Sequence, residues 1–494
     1  MTLYQVALTG SVLTLAYIAS YVFYNVFLHP LRAYPGPLLG RASILYMQKQ
    51  TFDGALVRWL HSLHEEYGPV VRYAPNELSF IDADLVREVY SHRGSAFEKQ
   101  RDFYGPDAFG SPPGLIRADQ AAHSRQRKLV SHAFSDKALR EQEQLLKGYA
   151  GLLAQKLQEK AAAAVPIDMV RWFNFTTFDI MSDLTFGEPL HLLEESEYTP
   201  WVKSIFGNIK MVAFTSILRR WRLLDALFQR VIPKNIRDQR KSHMEHSSMR
   251  VEKRLARQTD RPDIMTYVLR YSGGKDEMEK SLLPTELNSN SGLFMLAGTE
   301  TTATLLSGMT YHLLRNPEKM ERLKKEIRTA FGSFDDVHIG ELSQLEYLHA
   351  CIEEGLRMYP PVPLGLPRTT PRGGAMVNGK WLPGGTVISL QQYAAYHSEY
   401  NFKNAESFVP ERWMPEGQAE YGSDKRDVFI PFSNGPRNCL GKNLAYHEMR
   451  LLCVSVLLHF DLELADDKIW TDQNVYVLWE KNPLMVKLTS VKTL

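Results

Sequence analysis

The sequence predicts a mainly α chain with small β-sheets, of the α+β class, set behind one N-terminal helix apolar enough to cross a membrane. Three observations carry that prediction. The first 31 of the 494 residues contain no charged side chain. An internal stretch of twenty-eight residues, Leu287 to Leu314, carries only Glu300. Short strand signals, broken by Asn-Gly, Gly-Gly and Asn-Pro pairs, lie among long helical patterns.

Composition narrows the function classes. The chain is 44% hydrophobic with 58 basic against 56 acidic side chains, an ordinary globular interior that excludes disorder. A net charge of +2 leaves no basic excess for nucleic acid. The three cysteines, Cys351, Cys439 and Cys453, form no CxxC pair, which excludes a disulfide framework and gives structural zinc no support.

Taken in order, the chain opens on VALTGSVLTLAYIASYVFYNVFL, Val6 to Leu28. As a helix this is about 35 Å long, enough for a hydrocarbon core of about 30 Å. A membrane anchor is expected over residues 1–30. A signal peptide would begin with a basic segment, which Met1 to Gly10 lack; a buried core helix is the other alternative. His29-Pro30 and Tyr34-Pro35-Gly36-Pro37 form a stiff hinge over 31–40. The first basic residues, Arg32 and Arg41, follow the span, so the positive-inside rule places a single body, 41–494, in the cytosol. There the triplet Asn174-Phe175-Thr176 is a chance match to a glycan acceptor.

Strands are expected at 70–74 and 78–82, at 375–390 with two breaks, and at 475–488 with a break at Asn482-Pro483. Loops are expected at 272–275, 332–336 and 415–427, none long enough to separate domains. The apolar stretch between Glu286 and Arg315 is a helix nearly apolar all round. A second membrane span is the alternative, but Gly292, Gly298 and the Thr299, Thr301, Thr302 cluster lower its hydropathy and favour a central buried helix. A buried carboxylate is costly unless paired or functional. Glu300 with Thr301, beside a Gly298 able to admit a ligand or water to the backbone, is therefore a candidate site; alternatively the threonines simply bond back to the preceding turn.

The second candidate is Phe432-Ser-Asn-Gly435-Pro-Arg437-Asn-Cys439-Leu-Gly441, running into a helical pattern from Asn443 to His459. A thiol at a helix N-terminus, two residues after an arginine, is expected to have a lowered pKa and to serve as nucleophile or metal ligand. Gly435 and Gly441 leave room for something flat and large. A sulfur nucleophile would need a histidine base, and none is evident nearby. Cys351 and Cys453 fall in apolar helical patterns and are expected to be buried and inert.

This loop matches F-x-x-G-x-R-x-C-x-G at all five fixed positions, which chance would produce in about one chain in ten thousand. It resembles the haem-binding signature of the cytochrome P450 haem-thiolate family. Three further motifs agree in order: Ala297-Gly-Thr-Glu-Thr301 resembles the oxygen-activating helix motif, Glu354-Gly-Leu-Arg357 the E-x-x-R helix, and Pro410-Glu-Arg412-Trp the P-E-R-F/W loop. YNVFLHPLRAYPGP and HSRQRKLVSHAFS resemble microsomal enzymes of fungal secondary metabolism.

The resemblance implies the cytochrome P450 fold, haem b as cofactor and Cys439 as its axial thiolate, whose electron donation favours O–O cleavage. It implies that Glu300 and Thr301 supply protons for oxygen activation. Ala297, Phe432, Gly435 and Gly441 would border the cofactor. Arg437, Arg368 and Arg127 would face its propionates. His123 stands where many members have tryptophan, and would donate to a propionate or remain a helix-surface histidine among Arg125, Arg127 and Lys128. Glu354, Arg357 and Arg412 would form a buried structural ion network. The implied partners are NADPH-cytochrome P450 reductase, with cytochrome b5 as a further candidate, O2, a hydrophobic small molecule and membrane lipid. Arg125, Arg127, Lys128, Lys442 and Arg450 are candidates for a basic docking face. Phe294, Val362, Leu364 and Leu366 would line a pocket capped by residues 101–119, and the endoplasmic reticulum membrane is the implied location. The uncharged N-terminus is expected to be a removable tether outside the fold. An intact Glu300-Thr301 pair favours a monooxygenase over a haem-thiolate isomerase or dehydratase; a haem sensor or lipid carrier would consume no NADPH for product.

Overall fold

A computed structural model describes residues 2–91, 96–105, 113–231, 234–257, 261, 263–270 and 281–491. The expected loop at 272–275 and part of the expected cap, 106–112, lie outside the described residues.

The N-terminal helix runs Leu3–Phe23, started by a capping box between Thr2 and Gln5, and continues as a π turn over Tyr24–Leu28. None of Leu3–Phe23 is buried, which overturns the core-helix alternative. Among the described residues this is the one helix long and apolar enough to span a bilayer. The packed fold begins earlier than the expected tether allows. Asn25 and Val26 are buried, Asn25 Nδ2 donates to Ala42 O at 3.1 Å, and Leu31 is 1% exposed among Leu78, Phe80 and Val86. The hinge is seated on the first strand, where Arg72 N–H donates to Pro35 O at 2.7 Å. Prolines stiffen this segment, but Leu31 also contributes core area that the absence of charge did not reveal.

Among the described residues ten short strands form three sheets. The first holds β1 Val70–Ala74, β2 Glu77–Phe80, β8 Val387–Leu390, β5 Arg368–Thr369 and β3 Glu98–Lys99, in that spatial order. The second places β10 Met485–Ser490 between β4 Ile167–Asp168 and β9 Phe460–Leu464; the third is the hairpin β6 Ala375–Val377 and β7 Lys380–Leu382. The expected strand at 475–488 is broken more deeply than its Asn-Pro pair suggests, since residues 475–479 contribute only a Val475–Trp479 bridge. The polar stretch 415–427 contains a helical turn, Gln418–Tyr421.

Helices surround the central one, Pro284–Leu314, which begins on a proline at its first turn. Its C-terminal half is buried against Met169–Phe186 and Glu346–Met358, so it is no second membrane span. Gly298 has the opposite use from the one expected. A Cβ there would lie 2.6 Å from Met181 Sδ, so the glycine admits the methionine of the neighbouring helix and leaves no room for a ligand. Asn174 is buried in Met169–Phe186 and donates to Tyr198 Oη at 3.0 Å, closed to a glycan.

Candidate active site

The cysteine loop is shaped by its own backbone. Cys439 N–H donates to Phe432 O at 2.8 Å and Asn438 N–H to Gly435 O at 3.1 Å. Ser433 and Gly435 take left-handed φ of 58° and 67°. At 435 a side chain is excluded twice over, because a Cβ would also lie 2.4 Å from Tyr90 O. Gly441 caps the following helix, Lys442–His459, and a Cβ there would meet nothing within 4 Å. The Phe432 ring lies 5.2 Å from Tyr446. Cys351 and Cys453 are buried, whereas Cys439 is open on one side.

Protein encloses Cys439 otherwise, and that burial pushes its thiol up, against the Gly441 N–H and the charges of Arg127 and Lys442. The expected lowering is thus reversed: desolvation outweighs the helix end and the nearby cations in the thiol by itself. Arg127 sits on the helix Gln120–Val130, whose N-cap Asp119 accepts from Ala122 N–H at 2.8 Å. Its guanidinium donates to Asn438 O at 2.6 Å and Asn438 Oδ1 at 2.5 Å, so it braces the loop beside the cysteine.

A cluster of cations lies next to this loop. Lys99, Arg368 and Arg437 line one cavity of about 610 Å³ with Tyr90 and Tyr104. The register of β3 and β5 sets Lys99 directly opposite Arg368, a like-charge pair that destabilises a sheet unless something anionic lies between. Repulsion from Arg368 and Arg437 adds to burial in pushing the Lys99 amine well below its ordinary value. His123 is buried, which overturns the surface alternative, and is pushed down to about 3 by burial and by Arg437, Lys99 and Arg127. Arg437 donates to Ala118 O at 3.0 Å. Among the described residues His123 Nδ1 and Arg368 Nη1 have no hydrogen-bond partner although both are buried. Convergent cations with idle donors are the counterpart of a carboxylate-bearing ligand.

One stripe of the central helix is accessible. Phe294, Ala297 and Thr301 are accessible at helical spacing, while Met295, Thr299, Glu300 and Thr302 are buried. Thr301 Oγ1 donates to Ala297 O at 2.5 Å, as mid-helix threonines do. Glu300 is ion-paired with Lys481, whose Nζ also donates to Thr304 Oγ1 at 2.7 Å. Thr302 hydrogen-bonds Glu448 of the cysteine helix, joining the two elements; burial pushes that carboxyl up to about 8.

Comparison with known proteins agrees with this geometry. The sequence profile of the cytochrome P450 family matches residues 34–488. The chain belongs to the cytochrome P450 family. It is 46% identical to cytochrome P450 monooxygenase efuB of Hormonema carpetanum, over 95% of both chains. It is 43% identical to cytochrome P450 monooxygenase lcsI of Purpureocillium lilacinum, over 97% of this chain and 93% of that one. Averantin hydroxylase of Dothistroma septosporum is 38% identical, over 94% of this chain and 88% of that one. This P450 is an oxidoreductase, a haem-dependent monooxygenase whose cofactor is haem b ligated by a cysteine thiolate.

The residues present fit haem. The idle donors of Arg368 and His123 and the Lys99–Arg368 opposition call for its propionates, Gly441 leaves a face open beside Cys439, and Ala297 and Thr301 present an accessible helix stripe. Lys99 and Tyr104 were not foreseen, since no motif marks them and only strand pairing brings Lys99 to Arg368.

The P450 also brings Glu354, Arg357 and Arg412 together, all fully buried. Arg357 Nε and Nη2 donate to the Glu354 carboxylate at 2.9 and 2.7 Å, and Arg412 Nε donates at 3.2 Å. Burial works to raise the Glu354 carboxyl, but Arg357 and Arg412 outweigh it and hold it below its ordinary value. Two members were unforeseen: Trp413 Nε1 donates to Glu354 at 2.9 Å, and Arg412 Nη1 to Asp424 at 2.7 Å. Of the expected docking cations, Lys128 and Lys442 are exposed, whereas Arg125 pairs with Glu286 and Arg450 is half-buried over Tyr446.

Proposed function

We propose that this enzyme inserts one oxygen atom of O2 into a hydrophobic small molecule, a terpenoid, polyketide or alkaloid intermediate of secondary metabolite biosynthesis. Two electrons come from NADPH through a membrane-bound cytochrome P450 reductase, with cytochrome b5 as a second donor. The single observation that carries the reading is Cys439, open on one side in its motif loop beside a cluster of cations with idle donors. The relative named averantin hydroxylase supports a small-molecule substrate.

Haem bound through Cys439 supplies electron transfer and dioxygen activation. Arg368, Arg437, His123 and Lys99 would hold its propionates, and Arg127 fixes the loop that carries Cys439. Phe432, Gly435, Gly441 and Ala297 would border the cofactor. Thr301 and Glu300 hold and move protons there. Phe294, Val362, Leu364 and Leu366 supply apolar contact to substrate. The helix Leu3–Phe23 anchors the enzyme in the endoplasmic reticulum membrane, short of the expected 1–30, and the hinge 31–40 is seated on the cytosolic catalytic body 41–494. Lys128 and Lys442 are the exposed cations left for an acidic reductase surface, and charge reversal at both should slow reductase-supported turnover most at low ionic strength.

The test is reconstitution with reductase, NADPH and candidate substrates. Wild type should form oxygenated product with NADPH consumed, and Thr301→Ala should keep consuming NADPH with most of the product lost. Thr301→Ala with unchanged product per NADPH would remove the proton-supply role.

A further inference from the structure

The Glu300 carboxylate does not stand alone on the central helix. Its partner, Lys481, lies about 180 positions later in the chain, and both side chains are under 5% exposed. Lys481 is held in place from both sides: Glu480 N–H donates to Asn474 O at 2.9 Å, and Trp470 Nε1 donates to Asn482 O at 2.8 Å. Leu484 N–H then donates to Asp168 Oδ1 at 3.0 Å, tying the segment to the second sheet. From this fixed point the ammonium reaches two acceptors one helical turn apart, Glu300 Oε1 and Thr304 Oγ1. The other oxygen, Glu300 Oε2, is buried and has no hydrogen-bond partner among the described residues.

We propose that Lys481 is a positioning residue for proton supply, clamping Glu300 by Oε1 so that Oε2 remains the oxygen that takes up and releases a proton. The inference rests on the role given to Glu300 above. A proton that Oε2 takes up from water it passes on, so Glu300 returns to the carboxylate that Lys481 holds. Two observations favour clamping over mere neutralisation. Lys481 divides its donors between Glu300 and Thr304, which fixes the carboxylate along the helix axis. Its backbone is also pinned independently of the helix, so the carboxylate is referred to a rigid part of the fold.

The full-length haem-loaded enzyme, with reductase and a substrate it converts, tests this. Lys481→Met is expected to lower product per NADPH on the order of ten-fold and to change the solvent deuterium isotope effect on turnover, with the thiolate-type spectrum unaltered. Lys481→Arg should restore most of the coupling. In a Glu300→Gln background Lys481→Met should add nothing further. If Lys481→Met does not fold, Thr304→Val, which removes only the second acceptor, is read the same way and should give a smaller loss in the same direction. A Lys481→Met enzyme that melts earlier but keeps wild-type coupling and isotope effect would make the lysine a structural ion partner only and overturn the proposal. So would a loss of coupling that persists undiminished in the Glu300→Gln background. Failure of the underlying role is separate: Glu300→Gln itself would then leave coupling unchanged.

Discussion

At Cys439 and around it, single side chains are held in states they would not choose alone. Burial raises the Cys439 thiol, and Lys99, His123, Arg127 and Arg437 are all pushed toward their neutral forms by burial, with one another's charge adding to it at all of them but Arg127. Such mutual repulsion costs stability until an anion is present, and coordination deprotonates a thiol outright. Lys99→Met should therefore have opposite effects on the two forms. It should raise the melting temperature of haem-free protein, by up to about 1 kcal/mol in stability, and speed haem loss from the loaded enzyme. Equal destabilisation of both forms would show Lys99 to be ordinary packing. The sequence made Cys439, Arg437 and Arg368 legible because motif spacing marks them. Lys99 was not legible, since its role depends on a two-residue strand pairing with a partner 269 positions away, the difference between 368 and 99. The lowered thiol expected from the neighbouring arginine failed for a related reason, because sequence displays nearby charge but not desolvation.

The helix Glu346–Met358 is fixed to the loops that follow it by one carboxylate. Glu354 accepts from Arg357, Arg412, Trp413 and the Val409 N–H, and Arg357 in turn donates to the carbonyls of Tyr396, Ala405 and Ser407. Removing one member strands a buried charge, so Glu354→Gln or Arg357→Met should cost about 3–5 kcal/mol, measured by denaturant unfolding. The acid response has a definite sign. The folded Glu354 carboxyl lies below its ordinary 4.5, so its contribution is complete above that pH and is lost as pH falls through the lower folded value. Wild type should lose stability below about pH 4.5 more steeply than Glu354→Gln, and parallel acid profiles would contradict the assignment. Glu354, Arg357 and Arg412 were readable at motif spacing, but Asp424 was hidden in a polar stretch that read as loop. The central helix was readable to within three residues from its lack of charge, 287–314 expected against Pro284–Leu314 observed. The use of Gly298 was not, because Met181 comes from another helix.

For the whole molecule, the anchor and the catalytic body divide at a different place from the charge pattern. The helix that has no buried residue ends at Phe23, while Asn25, Val26 and Leu31 are packed into the body. Deleting residues 2–23 should release the enzyme from membranes with its melting temperature unchanged, whereas deletion through 36 should also lower stability by about 1.5–3 kcal/mol for the loss of Leu31 alone. Equal stability of the two truncations would mean that the hinge contributes nothing to the fold. The three cysteines then fall into two classes, Cys351 and Cys453 buried and Cys439 accessible, the residue on which cofactor, cations and central helix converge in the function proposed above. The most direct test of that convergence is the absorption spectrum of the reduced carbon monoxide complex in Cys439→Ala. Wild type should show the red-shifted Soret band of thiolate-ligated haem and the variant should lack it, whereas a variant that retained the band would contradict the assignment of Cys439 as the axial ligand.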